Sequence, residues 1–321
     1  MIVDPASAEV DRSARGLETR LLSIAGGLTQ FGAYLAMIPP GGVASQRHWH
    51  SLEDEFALVL DGQLTVIDDA GPQDLGPMGA AGWRRGAANA HHVVNRSDSP
   101  ARYLIVGSRV QGDICTYPDS QSRQINGRTD WRVEGFDGAV LRGGALPDDL
   151  MNLPEDWAGP IDPDFAGPSL LPLAPRVWVD EVALAHPVLG AGQGPLRHFV
   201  LGDLSGLAQF GVHLEDLPPG SASGHRHWHE TEDELVFMLS GEVMLVEDSE
   251  AVMRPGDMAC WPAGLPVGHC LQNRSDGTAT YLTVGTRKRR DVIHYPDHDL
   301  IVHKDGAARA WFHADGRHRG A

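Results

Sequence analysis

Arg47-His48-Trp49-His50, followed by Glu55, is the stretch from which the rest of the chain is read. It recurs with the same spelling as Arg226-His227-Trp228-His229, followed by Glu234. Histidines at i and i+2 share one face when the segment is extended. A carboxylate five residues beyond the second histidine can return to that face from the next strand. Each copy thus gathers nitrogen and oxygen donors on one surface, which is the pattern of a metal site. A single His-X-His is commonplace, and the duplication gives the pattern its weight.

Outward from these blocks the repeat continues. Gln30-Phe31-Gly32 returns as Gln209-Phe210-Gly211, Pro39-Pro40-Gly41 as Pro218-Pro219-Gly220, and Glu53-Asp54-Glu55 as Glu232-Asp233-Glu234, at an offset of 179 (209 − 30). After one deletion the offset is 178 (273 − 95): Asn95-Arg96-Ser97-Asp98 matches Asn273-Arg274-Ser275-Asp276, Arg109 matches Arg287, and Tyr117-Pro118-Asp119 matches Tyr295-Pro296-Asp297. A nearly constant offset over so many identities marks a duplication. A weaker echo, Val3-Asp4 against Val179-Asp180, extends it toward the start of each copy. Residues 139–176 have no counterpart and hold seven of the chain's 22 prolines. They are read as a Pro-rich connector, draped over one or both domains, between domains at 1–138 and 177–321.

Inside a copy the apolar runs are short. Phe56–Leu60 stops at Asp61-Gly62, a hairpin signal, and Leu64–Ile67 stops at Asp68. No stretch between 20 and 120 keeps a helical period over three turns. With 38 glycines and 22 prolines in 321 residues, the chain favours many short strands. Each copy is therefore expected to be an all-β barrel or sandwich.

The formal charge of −17 opposes binding to nucleic-acid phosphates. The one basic run, Arg287-Lys288-Arg289-Arg290, is read as an exposed turn. Cys115, Cys260 and Cys270 form no disulfide framework and suit a reducing compartment, with Cys260 and Cys270 as buried fillers. Met1–Gly16 lacks the basic start and apolar centre of a secretory signal, and no apolar run approaches a membrane span. A cytoplasmic address with no membrane partner is expected.

The spacing Gly42, His48, His50, Glu55, Gly62 resembles the first motif of the cupin superfamily, and the second copy follows it from His227 through Gly241. His91 with Asn95, and His269 with Asn273, are similar to the end of that family's second motif. The second copy keeps Gly256-Asp257, Pro262 and Gly264, with two extra residues before the histidine; the first has Arg84 where the motif has proline. The resemblance implies a bicupin, two tandem jelly rolls (double-stranded β-helices) with a metal inside each barrel. It implies His48, His50, Glu55 and His91 as ligands in the first and His227, His229, Glu234 and His269 in the second. These donors suit one divalent transition metal per domain, Fe(II) in first place, with Mn, Ni, Zn, Cu and Co admitted by the same ligand types.

The leading expectation is a metal-dependent oxidoreductase of the dioxygenase type acting on a small oxygenated organic molecule. The alternatives are a cupin isomerase, lyase or decarboxylase, and a non-catalytic, metal-dependent small-molecule binder. Glu55, Glu234 and His225 are the candidate proton carriers. His225 stands two before His227 and shares its face, the alternative being a polar rim residue. Arg84 and Arg85 are read as loop residues, with a substrate-carboxylate anchor as the other possibility. Trp49 and Trp228 should pack behind the strand, and the Tyr-Pro-Asp pairs should make turns. The second site, with its extra histidine, is expected to be the more active, and association into a homo-oligomer is open.

Overall fold

The computed structural model describes residues 2–13, 16–151, 153–154, 162, 164–171, 177–179, 185–191 and 194–319. The Asp180 end of the weak echo and the connector stretches 155–161 and 172–176 lie outside them.

Phe56, Ala57, Leu58 and Val59 explain the architecture. In the strand Glu55–Asp61, Phe56 and Leu58 enter one apolar core, while Ala57 and Val59 enter another. In the strand Glu234–Ser240, Leu235 and Phe237 join the same first core, and Val236 and Met238 line a third. The period of two is present, but both faces of these strands are covered, so the sequence shows an unbroken apolar run. The second and third cores fill the two barrels. The first core lies between them, with Phe31 and Phe210 facing each other at a ring separation of 6.4 Å.

Each half has a seven-stranded antiparallel sheet. In the first half its order is Leu170–Leu171, Ala80–Trp83, Glu55–Asp61, Ala101–Ser108, Phe31–Ile38, Glu18–Leu21, Val10–Arg12. The opposite wall has two smaller sheets, one of which carries Trp49–His50 beside Ile114–Tyr117 and Ser122–Asn126. The second half repeats this plan, with Trp228–His229 beside Arg290–Tyr295 and Leu300–Asp305. This is the expected all-β jelly roll, twice.

The hairpin expected at Asp61-Gly62 does not form. Gly62 does make the turn, at φ +75°, but the strands it joins belong to different sheets. A Cβ on Gly62 would lie 2.8 Å from the Ala101 Cα, so the chain leaves the large sheet pressed against its neighbour, where the register with Arg102 and Tyr103 shifts. Gly241 repeats the arrangement against Ala279.

The sheets cut across the expected domain boundaries. Ile2–Val3 pairs with Met258 and Ala259 of the second half. Val140–Ala145, read as connector, is the outermost strand of a first-half sheet. Leu170–Leu171 closes the large first-half sheet against Ala80 and Ala81. The Val3 and Val179 echo is not structural, because Val179 pairs within its own half, with Leu196. Two-residue strands carry too little pattern to reveal an exchange of edges.

Candidate metal centres

The donors are delivered by the barrel walls. His48 and His91 sit opposite each other in a two-way backbone bridge, with N–O distances of 3.0 and 2.8 Å. His50 lies on the short strand beside Cys115, and Glu55 opens the strand that follows. Trp83 is paired with Glu55 across the sheet and stacks flat on the His91 ring at 3.8 Å, which sets its plane. The second half has His227 bridged to His269, His229 beside Ile293, and Trp261 stacked on His269 at 3.7 Å.

In both halves all three imidazoles spend Nδ1 on the protein. His48 donates to the Gln46 carbonyl (2.8 Å), His50 to Asp113 (2.6 Å) and His91 to the Asn89 carbonyl (3.2 Å). His227 donates to the His225 carbonyl (2.8 Å), His229 to Asp291 (2.5 Å) and His269 to the Val267 carbonyl (3.1 Å). With Nδ1 held in this way, the lone pair of each ring in its neutral form falls on Nε2. Glu55 Oε2 lies 2.9 Å from His91 Nε2 and 3.8 Å from the Nε2 atoms of both His48 and His50. Glu234 Oε2 lies 3.0 Å from His269 Nε2 and 3.9 Å from His229 Nε2. The donor atoms of His48, Glu55 and His91 fall within 4.8 Å of one another, as do those of His227, His229 and Glu234. Such a set fits a divalent cation. It has the right donor types, the right tautomers and a ring orientation fixed from behind.

Electrostatics agree. Burial works against the charge on Glu55, but the imidazoles of His50, His48 and His91 outweigh it and hold the carboxyl well below its ordinary value. Glu234 is lowered in the same way, with His229 the strongest partner. His227 is pushed down to about 4, chiefly by burial. His229 rises to about 9, because Glu234 and Asp291 overcome its burial. A bound cation would replace the proton that His229 otherwise carries.

Asp113 and Asp291 are residues the sequence reading passed over. Both are buried, and each braces the loop after the paired histidines. Asp113 accepts from Leu52 N at 2.8 Å, and Asp291 accepts from Thr231 N at 2.9 Å. Their shared offset of 178 (291 − 113) was the available signal. Tyr117 and Tyr295 do precede tight turns, but their rings also approach His48 and His227 at 5.9 and 5.7 Å.

Other expectations are revised. The His225 ring packs against His298 at 5.0 Å and His186 at 6.1 Å, outside the donor clusters, and serves its neighbour through its carbonyl. Arg84 donates to the Asp162 carbonyl and lies over the Phe165 ring, while Arg85 donates its backbone N–H to Asp54 (2.7 Å). Both belong to a cleft between the halves, away from the imidazoles. Trp228 stacks on His294 at 4.1 Å, behind the strand as expected.

The copies differ beside their donors. A cavity of about 250 Å³ opens on the first centre, lined by His50, Glu53, Glu55, Tyr34, Arg109 and Asn126, among others. Leu146, Leu150 and Leu153 of the expected connector form part of its wall. In the second half the counterpart of Asn126 is Lys304, since each follows its strand partner Asp113 or Asp291 in the same register. Lys304 Nζ lies 2.5 Å from Glu232, the counterpart of Glu53. Among the described residues Glu53 has no lysine partner, and it is pushed up to about 8 by burial and by Asp113.

A family model described as the cupin domain matches residues 34–107 and again 213–285. The chain is a bicupin. The oxalate decarboxylase of Lactobacillus farciminis, solved as a formate complex, is 17% identical with a TM-score of 0.53, over 90% of this chain and 86% of that one. AerE from Microcystis aeruginosa is 12% identical with a TM-score of 0.51, over 89% of this bicupin and 99% of AerE. A cupin-superfamily sugar phosphate isomerase from Silicibacter pomeroyi is 43% identical over 39% of this chain and 81% of its own, with a TM-score of 0.38. Among curated proteins, none matches. Among the described residues no helix is long and apolar enough to cross a membrane.

Proposed function

We propose that this bicupin is a metal-dependent enzyme whose first centre, not the second, takes a small oxygenated organic anion and oxidises it with dioxygen. The observation that carries this reading is the cavity of about 250 Å³ that reaches His50 and Glu55. Its size suits a small metabolite and not a polymer. Arg109 and Tyr34 on its wall suit a carboxylate or phenolate, and Ile105, Leu146 and Leu150 suit a short apolar body.

His48, His50, Glu55 and His91 would hold the cation, Fe(II) in first place, and His227, His229, Glu234 and His269 a second one. When bound, such a cation supplies a Lewis acid and an electron-transfer centre whose four protein donors leave room for exogenous ones. The protein's own part is to present Nε2 donors in one tautomer, to orient the anion through Arg109, and to limit water through the leucine wall. In a dioxygenase reaction both atoms of one O₂ enter the organic product, so no external reductant is consumed.

A redox-neutral reading, such as isomerisation or decarboxylation, is favoured by one observation. The Glu53 carboxyl lines the same cavity and can pass a proton to or from substrate.

The test is anaerobic purification with metal analysis, followed by oxygen uptake over catechols, gentisate-like acids, enediols and oxalate. Uptake matched to substrate loss supports the oxidative reading. Turnover without uptake, for example CO₂ release from oxalate, replaces it with the redox-neutral one. Binding without turnover makes the chain a sensor or carrier, and tightly held Zn with no uptake on any compound sinks the oxygenase.

A further inference from the structure

Each ligand loop is gripped by the opposite half of the chain. Asp54 directly precedes Glu55 and is fully buried. Its Oδ2 accepts from Ala208 N (2.7 Å) and Gln209 N (2.8 Å), both in the second half, and its Oδ1 accepts from Arg85 N. The Gln209 side chain answers: Oε1 accepts from Asp54 N (3.0 Å) and from Ser108 Oγ (2.5 Å), and Nε2 donates to the Leu52 carbonyl (2.9 Å). The loop from His50 to Glu55 is thus tied at Leu52 and at Asp54 to one glutamine of the other repeat.

The mirror arrangement holds the second loop. Asp233, directly before Glu234, accepts from Thr29 N and Gln30 N, each at 2.8 Å, and Gln30 Nε2 donates to the Thr231 carbonyl at 2.8 Å. The mirror is incomplete at one atom. Ser108 in the first half is matched by Thr286, whose hydroxyl does not reach Gln30, and Gln30 Oε1 is buried without a partner.

We propose that Gln209 is the positioning residue of the first centre and Gln30 that of the second, each acting in trans through the aspartate beside the ligand glutamate. A side-chain amide that fixes two points of the six-residue stretch His50–Glu55 restricts where the glutamate can stand. Loosening it should act on metal affinity as loss of an outer hydrogen-bond partner does, at about tenfold or more. Because the clasp crosses between repeats, the effect must cross too. The first clasp, with its extra serine bond, should show the larger effect. The inference rests on the metal reading of the clusters and is independent of the reaction.

The experiment uses the full chain and Co(II) absorption as the probe. Glu234→Gln leaves the first centre to report alone, and Glu55→Gln leaves the second. Adding Gln209→Met should weaken Co(II) binding about tenfold in the Glu234→Gln chain and leave the Glu55→Gln chain unchanged. Gln30→Met should do the reverse. Weakening at the centre of the substituted repeat, equal weakening at both, or none at either overturns the proposal. Should Gln209→Met fail to fold, the Glu234→Gln chain with its clasp intact answers the question by hydrogen exchange. There Co(II) at the first centre should slow exchange at the Ala208 and Gln209 amides, and unchanged exchange refutes trans positioning. A wild-type chain that takes up no Co(II) brings down the metal reading itself, whereas two bound ions without crossing bring down only this inference.

Discussion

Replacing Lys304 with asparagine should convert the second barrel toward the first, at a cost that can be worked out. Lys304 Nζ stands 2.5 Å from Glu232 Oε1, with side chains only 15% and 9% exposed. Removing one partner of a buried pair costs about 3–5 kcal/mol when the other charge stays buried. Glu232 retains the backbone bond from Lys288 N at 2.6 Å, and burial already raises its carboxyl with Lys304 in place, so it has the escape Glu53 uses, which is to hold a proton. The low end, about 3 kcal/mol, is therefore expected. At about 1.5 °C per kcal/mol, from an unfolding entropy of about 2.1 cal/mol/K per residue over 321 residues, Tm should fall by roughly 4–5 °C. The pH dependence has a definite sign. If Glu232 in the variant adopts the state of Glu53, at about 8, the folded chain holds a proton that the unfolded chain releases near its ordinary carboxylate value. Stability then falls as pH rises through that window, and the deficit fades at the acid end, where the unfolded chain is protonated too. Calorimetry of the metal-free protein from pH 5 to 8 measures this. A Tm within about 2 °C of wild type across the range would refute the pairing and, with it, the account of why the two centres differ.

Several further outcomes are expected. Asn126→Lys should place an ammonium beside Glu53 and lower turnover roughly a hundredfold with metal content unchanged, as steady-state kinetics and metal analysis would show; full turnover would move the reaction to the second centre. Glu55→Gln and Glu234→Gln should each lower bound metal by about one ion per chain, and loss in only one of them would mark the other centre as vestigial. Asp113→Asn should weaken metal at the first centre by about 10–100-fold, because His50 loses the partner that fixes its tautomer, and a competition titration with a chelator reads this directly. Burial pushes the Cys260 thiol up to about 12, so at pH 8 its thiolate is roughly one part in ten thousand. Mass spectrometry after iodoacetamide should find Cys260 alkylated at least a thousandfold slower than in the unfolded chain.

The donors were legible because a strand has a period of two and because the chain states the pattern twice. His48 and His50 share a face for that reason alone, and His91 came from the resemblance to cupin motifs. The all-β character was equally plain from the short runs ended by glycine. What escaped was everything set by distant strands. Asp113 lies 63 residues beyond His50, and only the fold brings the two within 2.6 Å. The Asp61-Gly62 turn was visible, but not which sheet would receive the next strand, since a turn's local chemistry is the same in a hairpin and in a crossing. His225 misled for a related reason. Alternation places residues on one face only while the segment stays extended, and here the extended stretch starts at the His227 bridge to His269, with His225 in the bend before it.

The Lys304–Glu232 pair and the crossed clasps bear on each other. With the ammonium against Glu232, the second barrel presents an ion pair where the first presents Glu53 and Asn126, yet its Ala208 and Gln209 still complete the first ligand loop. Whatever the second barrel binds, it therefore cannot be dispensed with: the Glu55 loop would lose four of the bonds that hold Leu52 and Asp54 in place, together with half of the apolar core around Phe31 and Phe210. A cation held at the second centre would have a mechanical part as well. By stiffening the Glu234 loop it would stiffen Thr29 and Gln30, which lead directly into the strand that carries Tyr34 to the first cavity. Two centres built from one ligand frame can in this way serve one reaction, the first by contact with substrate and the second by holding the wall that the substrate meets.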